Sequence, residues 1–331
     1  MITTRPLHIA TRQSSLALAQ AELVADGLRA CWPDLKIVLV PVATEGDRRR
    51  DVSTGEIGGK GVFTAAVQEA VLAGRADVAV HSAKDLPAAQ VPGLVIAAAP
   101  RRADPRDALA AREPLSGLDE LPLGAVVGTG SPRRVALLRW LRPDLEVVPL
   151  RGNVETRLHK ARGGELDAVV LAMAGLQRLG ITTQPAPGFT GDGRGQGSGL
   201  DWIVPLDPEV FTPAPGQGAL AVEARADDTR TLGLLSALTD RSSRVALRGE
   251  RAFLARLGGS CTLPAGALLS EGKGRLEVQG FLAAADGKGM VRERLAGPAD
   301  DPEGLGEGLA DRLLAACDPE VRAFVEASRR R

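Results

Sequence analysis

Short apolar runs pace the first two thirds of the chain, and each is broken within a residue or two by glycine, serine or charge. They are Leu7–Ala10, Leu35–Val42, Val78–Val80, Leu94–Ala99, Ala125–Thr129, Glu146–Leu150 and Ala168–Ala172. Such runs are too short for helices and suit strands covered on both faces. Helical patterns lie between them. After Ser14 and Ser15, either of which is a natural N-cap, Leu16, Ala19, Leu23, Val24 and Leu28 recur at near-helical spacing, with Gly27 weakening the last turn. Val62–Leu72 is a second helix. The alternation predicts parallel sheets with crossover helices. In open sheets of that kind ligands lie beyond the carboxyl ends of the strands, so the residues that end each run are candidates for function.

The most suggestive ending is Val80-His81-Ser82-Ala83-Lys84-Asp85-Leu86-Pro87, where Pro87 bars a regular continuation. A carboxylate beside an ammonium and a hydroxyl is equipped to move protons; the alternative is a solvated loop ion pair. Ser82 and Lys84 also allow a weak Ser–Lys hydrolase reading. Arg12 and Ser14 stand at a helix start, where free N–H groups favour anions, although Ser14 capping its own helix is an equal use. Gly130-Ser131-Pro132 opens another helix with Arg133 and Arg134 in its first turn. The helix dipole disfavours cations there, so a bound anion would remove the conflict. Arg151-Gly152-Asn153 repeats the design, with Asn153 as cap and Arg157 alongside, and Arg178 follows the run Ala168–Ala172. Arginine at so many strand ends favours a cleft for a molecule with several carboxylates or phosphates.

Other features limit the choice. Basic and acidic residues balance at 41 each, so no global field attracts polyanions. Aromatic residues make up 3% of the chain and tyrosine is absent, which argues against stacking on single-stranded nucleic acid. Cys31, Cys261 and Cys317 are too far apart in sequence for a metal motif or a disulfide framework. Cys31 and Cys317 read as small buried hydrophobes, whereas Cys261 lies in the glycine-bearing loop Gly258–Pro264. Thr44–Lys60 reads as a mobile loop over a site; as a P-loop it fails, since Gly61 follows Lys60 where Ser or Thr is needed. No stretch approaches the ~18 apolar residues of a membrane helix, and the first twelve residues lack a signal-like apolar core. A soluble cytoplasmic protein is expected.

Arg101–Asp107 and Pro213–Gly218 read as two crossings between lobes, and from Ser242 strands cluster ahead of helices as in a small α+β domain. The expected architecture is α/β, with a first lobe of residues 1–101 and 218–238, a second lobe of 105–212, and a third domain of 241–331. The second lobe carries a glycine-rich insertion at 185–200, expected to be flexible.

Taken together, Ala10–Ser14, Gly58–Gly61, His81–Pro87, Asp104–Ala108, Gly128–Arg134, Arg151–Arg157, Gly216–Gly218 and Cys261–Pro264 resemble the porphobilinogen deaminase (hydroxymethylbilane synthase) family, over nearly the whole chain. The resemblance implies two lobes like those of periplasmic binding proteins, joined by a hinge, plus a small C-terminal α+β domain. It implies that four porphobilinogen molecules are joined head to tail with loss of ammonia, and that hydrolysis releases the linear tetrapyrrole. It further implies a covalent dipyrromethane cofactor on a thioether to Cys261, and Asp85 as the catalytic carboxylate. By the same resemblance Arg12, Ser14, Lys60, Ser82, Lys84, Thr129, Ser131, Arg133, Arg134, Arg151, Asn153, Arg157, Arg178, Gln217 and Gly218 hold substrate or cofactor. Each pyrrole carries an acetate and a propionate, which accounts for clustered arginines in a neutral chain. A monomer without nucleic-acid, membrane or metal partners is implied as well. The chain departs from the pattern at Glu56, Gly130, Pro132, Ser260 and the 185–199 insertion. The alternative from another class is a non-catalytic two-lobed binding protein for a small polyanion.

Overall fold

The computed structural model describes residues 5–44, 64–181, 202–259, 263–272 and 274–330. The expectations for the Thr44–Lys60 loop beyond Thr44, for Lys60, for the 185–200 insertion and for Cys261 therefore lie outside the described residues.

In chain order the first elements are β1 (Leu7–Arg12), α1 (Ser15–Cys31), β2 (Ile37–Val42), α2 (Ala65–Leu72), β3 (Val78–Ser82) and β4 (Leu94–Ala98). Next come β5 (Asp107–Ala111), β6 (Val126–Gly128), α3 (Pro132–Leu141), β7 (Glu146–Val148), α4 (Val154–Arg162), β8 (Ala168–Ala172), α5 (Met173–Arg178) and β9 (Trp202–Pro205). The chain then forms β10 (Leu220–Arg225), α6 (Thr229–Ser236), α7 (Arg241–Arg256), β11 (Ala265–Gly272), β12 (Arg275–Leu282), β13 (Val291–Pro298), α8 (Pro302–Ala316) and α9 (Pro319–Arg330).

Two five-stranded sheets carry one topology: β2-β1-β3-β10-β4 in one lobe and β7-β6-β8-β5-β9 in the other. The expectation of parallel sheets needs correcting, because each sheet is mixed. β1 pairs in parallel with β2 and β3, while β10 runs against β3 and β4. β6 pairs in parallel with β7 and β8, while β5 runs against β8 and β9. In each lobe the reversed strand is the first one the chain enters after crossing from the other lobe. Reversal brings the start of that strand to the edge where its parallel neighbours end. Leu220 thus lies opposite Ser82, and Asp107 opposite Ala172. Both crossings are delivered to the strand ends where a ligand would sit.

Aliphatic packing follows from the run pattern. α1 buries Ala17, Ala21, Val24, Ala25 and Leu28 against the first sheet, with Ser14 Oγ accepting from Ala17 N at 3.4 Å as its N-cap. Gly27 is a packing glycine, since a Cβ there would stand 2.9 Å from Leu238 Cδ2. The third sheet, β11-β12-β13, is antiparallel and covered by α7 and α8. Those helices touch backbone to backbone: a Cβ on Gly306 would fall 2.0 Å from Gly249 O. Cys317 is buried as expected, its Sγ 3.3 Å from Leu314 O, but Cys31 ends α1 exposed, which corrects its reading as a buried residue.

Candidate active site

Asp85 closes a 3₁₀ turn, Ala83–Asp85, that follows β3 directly. Ala83 N donates to Ala219 O at 3.0 Å, so the turn is tied to the second crossing just before β10. Asp85 is exposed. Arg12, Ser14, Gln20, Ser82 and Asp85 line one recess of about 50 Å³. Gln20 Nε2 donates to Ser82 Oγ at 2.8 Å. Lys84 Nζ donates to Gln217 Oε1 at 3.1 Å rather than to Ser82, so the pairing a Ser–Lys nucleophile needs is not formed. His81 is buried instead, its Nε2 3.2 Å from Glu223 Oε2, which also accepts from Gln68 at 2.8 Å.

The opposite wall centres on Asp107, fully buried at the start of β5. Arg133 Nη2 lies 2.8 Å from its Oδ2. Arg134 reaches Oδ1 through Nη2 at 2.7 Å and Nε at 3.0 Å, and Gln217 Nε2 donates to the same oxygen at 3.1 Å. Both arginines are nearly buried, and the Nη1 of Arg133 donates to Thr212 O and that of Arg134 to Val170 O. Cations in the first turn of α3 called for an anion, and the chain supplies one itself in Asp107. Burial alone would push the Asp107 carboxyl up, but Arg133, Arg134 and Lys84 outweigh it and hold the group below the usual carboxylate range. In the sequence Asp107 falls within Asp104–Ala108 and nothing local marks it for a role. The unmet charge of the adjacent arginines was the signal that could have found it.

Lys84 sits among these groups. Burial first, then repulsion from Arg134, lowers its ammonium from 10.5 to about 8, against the pull of Asp85 and Asp107. Three cations against the single Asp107 carboxylate leave this wall positive. Arg157 and Arg178 extend it. Burial first, with Arg134 adding and Asp85 opposing, brings Arg157 down to about 10, and its Nε donates to Gly152 O at 2.8 Å. Arg178, lowered to about 10 by burial, reaches from α5 to Gly218 O at 2.7 Å. Arg151 lies within electrostatic range of Arg157.

The polar residues divide. Asn153 Oδ1 is committed to its own helix, accepting from Thr156 N at 2.8 Å. Thr129 is buried and its Oγ1 accepts from Ser131 N at 3.3 Å. Ser131 holds the N-cap position of α3 without a side-chain capping bond, so its hydroxyl is not spent there. Gln217 is fully buried and spans both walls through Lys84, Asp107 and Pro105 O. Gly218 takes φ +84°, and a Cβ on it would meet Ala103 O at 2.5 Å. The stem of the Cys261 loop also comes to this place: a Cβ on Gly259 would stand 3.2 Å from Ala88 Cβ, just past Pro87.

The donor set suits a polycarboxylate. The buried Nε atoms of Arg133 and Arg178 have no hydrogen-bond partner. Among the described residues no cluster of His, Cys, Asp or Glu is arranged to hold a metal ion.

Comparison with known proteins gives a concordant result. Residues 7–233 match the family model described as porphobilinogen deaminase, dipyromethane cofactor binding domain, and residues 245–315 match the porphobilinogen deaminase C-terminal domain. The chain is 49% identical over 308 residues to the porphobilinogen deaminase of Roseiflexus sp. (strain RS-1), covering 93% of this chain and 95% of the relative. It is 43% identical over 325 residues to that of Syntrophotalea carbinolica, covering 98% of each. Among solved structures the methionine binding protein MetQ aligns with 74% of this chain and 94% of its own, at 13% identity and a TM-score of 0.41, too loose a likeness to argue from.

Proposed function

Because this chain belongs to the porphobilinogen deaminase family, we propose that the walls around Lys84 are where its substrate units are held and joined. The protein is an enzyme of the transferase class, with the hydroxymethylbilane synthase activity of tetrapyrrole biosynthesis and a dipyrromethane cofactor. Family membership sets aside the non-catalytic binding reading. The observation that carries the site assignment is Lys84, which stands within electrostatic range of Asp85, Asp107, Arg133 and Arg134 at once.

In this reading Asp85 stabilises the cation that the substrate's aminomethyl carbon becomes as ammonia leaves, and it relays the proton that the joined pyrrole must lose. Arg12, Ser14 and Ser82 take carboxylates on the first lobe. Lys84 takes them beside Asp85, and Ser131, Arg133, Arg134, Arg151, Arg157 and Arg178 take them on the second lobe. When bound, the dipyrromethane supplies an electron-rich pyrrole to which the first unit is joined. The unpartnered Nε atoms of Arg133 and Arg178 and the uncommitted Ser131 hydroxyl suit its acetate and propionate groups. Thr129, Asn153, Gln217 and Gly218 shape the walls. Lys60 is assigned to the covering loop and Cys261 to the thioether.

We assign 1–101 with 218–238, 105–212 and 241–331 as the three domains. We also read the enzyme as a cytoplasmic monomer without nucleic-acid or membrane partners. The balanced charge supports this, and among the described residues no helix is long and apolar enough to cross a membrane. The test is the intact mass of the purified enzyme beside a Cys261→Ser variant. An excess of two linked pyrrole units that disappears in the variant is expected. An excess retained in Cys261→Ser would place the attachment elsewhere.

A further inference from the structure

A second cleft, of about 370 Å³, opens between β4, the segment after Pro87 and the outer face of α7. Its floor is apolar, with Ile96, Ala97 and Leu247. Its polar lining is cationic: Arg244, Arg248 and Arg251 recur at i, i+4 and i+7 and so share one face of α7. Arg248 is neutralised by an ion pair with Glu303, which also lines the cleft. Arg251 Nη2 donates to Pro87 O and Ala88 O, both at 3.0 Å. Its Nη1 is buried and has no partner, and Thr239 Oγ1, lining the same cleft, is likewise buried and unpartnered. Glu223 is the carboxylate that acts on Arg251 from the sheet side, but its Oε2 already accepts from Gln68.

Buried polar groups are rarely left unpaired, and here a cationic donor and a hydroxyl are left so on two residues that line one cleft. Water would satisfy the hydrogen bonds but not the charge. A carboxylate would satisfy both, and the apolar floor suits a hydrocarbon body. We propose that this cleft binds a small amphiphilic carboxylate, its charge taken by Arg251 with Arg244 at the mouth, Thr239 as a second polar anchor, and its apolar body on Ile96, Ala97 and Leu247. Such a ligand bridges the first lobe and the third domain.

The test uses the full-length holoenzyme and 2-naphthoate as probe, by titration calorimetry and thermal shift. Saturable binding at one site per chain is expected, with a midpoint that rises with probe concentration. Arg244→Gln and Thr239→Val, neither placed in the catalytic cleft, are each expected to weaken binding, and together by about tenfold or more, as loss of a charge-assisted contact implies. Arg244 is exposed, so its replacement reads binding without a folding defect. The neutral 2-naphthamide is expected to bind at least about tenfold more weakly than the acid. The inference is overturned by absence of saturable binding at millimolar probe, by unchanged affinity in the double variant, or by equal affinity for the amide. Displacement of the probe by porphobilinogen in the double variant and the wild type alike would place it in the catalytic cleft and overturn the inference as well.

Discussion

Lys84 is a charge kept at the margin of its own ionisation. Burial and Arg134 push its ammonium down to about 8, so it is a cation below that pH and neutral above it. If it holds a substrate carboxylate, kcat/KM falls above pH 8, and Lys84→Arg, with a cation that does not titrate there, moves the break away. A break that survives Lys84→Arg unmoved would assign it to another group. For stability the sign is opposite. The unfolded chain keeps this proton up to its ordinary 10.5, so between about 8 and 10.5 it binds more protons than the folded protein, and this group's contribution to stability rises with pH. Asp107 works against the shift, so Asp107→Asn should move the kcat/KM break below pH 8. Asp85 stands apart as the exposed carboxylate of the cluster. Its replacement by alanine is expected to lower kcat by about 10²–10⁴, the range of a lost acid–base group, while the mass excess on the purified enzyme is retained. Turnover equal to wild type in Asp85→Ala would remove it from the chemistry.

At the scale of elements, most strands and helices were legible because their sequences agree with their burial. Ala168–Ala172 and Val78–Ser82 fall where the apolar runs put them. The strand Asp107–Ala111 was not legible: Asp-Ala-Leu-Ala-Ala favours helix by propensity, and only its place between β8 and β9, buried throughout, makes it a strand. The missed reversal of β5 has the same origin, since strand direction is set by the crossing and leaves no mark in composition. The arginines of the site were legible as a set, yet which of them carry an internal counter-ion depended on Asp107, a contact 26 to 27 residues away in sequence. Among the crossings, Gly218 has a demand that sequence alone only hints at. Gly218→Ala forces a side chain onto φ +84° and against Ala103 O, and is expected to cost about 1–3 kcal/mol in urea unfolding and to lower kcat by disturbing the Arg178 contact. Gly233→Ala, inside α6 with nothing within 4 Å, is expected to leave kcat alone and to stabilise by about 0.4–1 kcal/mol. Equal losses in both would mean that the strain argument for Gly218 fails.

At the scale of the molecule, the two crossings and the third sheet meet at one buried carboxylate. Glu250 of α7 accepts from Arg102 Nη1 at 2.6 Å and Nη2 at 3.0 Å on the first crossing, from Gly216 N at 2.5 Å on the second, and from Leu269 N at 3.0 Å on β11. Arg102 Nε in turn donates to Gln217 O at 2.8 Å, and its backbone N to Ser243 Oγ at 2.8 Å. The third domain therefore fastens the two crossings to each other, and they set where Gln217 and Lys84 stand. Removing the carboxylate leaves a nearly buried guanidinium and two amides without their acceptor, which costs about 3–5 kcal/mol for a broken buried pair. Trp140 stacks under Arg292 of β13, 5.2 Å from ring centroid to guanidinium carbon, so its environment reports whether the second lobe and the third sheet stay together. In a Trp32→Phe, Trp202→Phe background, where Trp140 is the single tryptophan, its fluorescence and far-ultraviolet circular dichroism should lose structure in one coincident urea transition. With Glu250→Ala added, the fluorescence change is expected first, at lower urea, with the bulk of the helical signal lost later. Coincident transitions at the midpoint of that background would show that the Glu250 junction is slack and that the lobes are held by their apolar contacts alone.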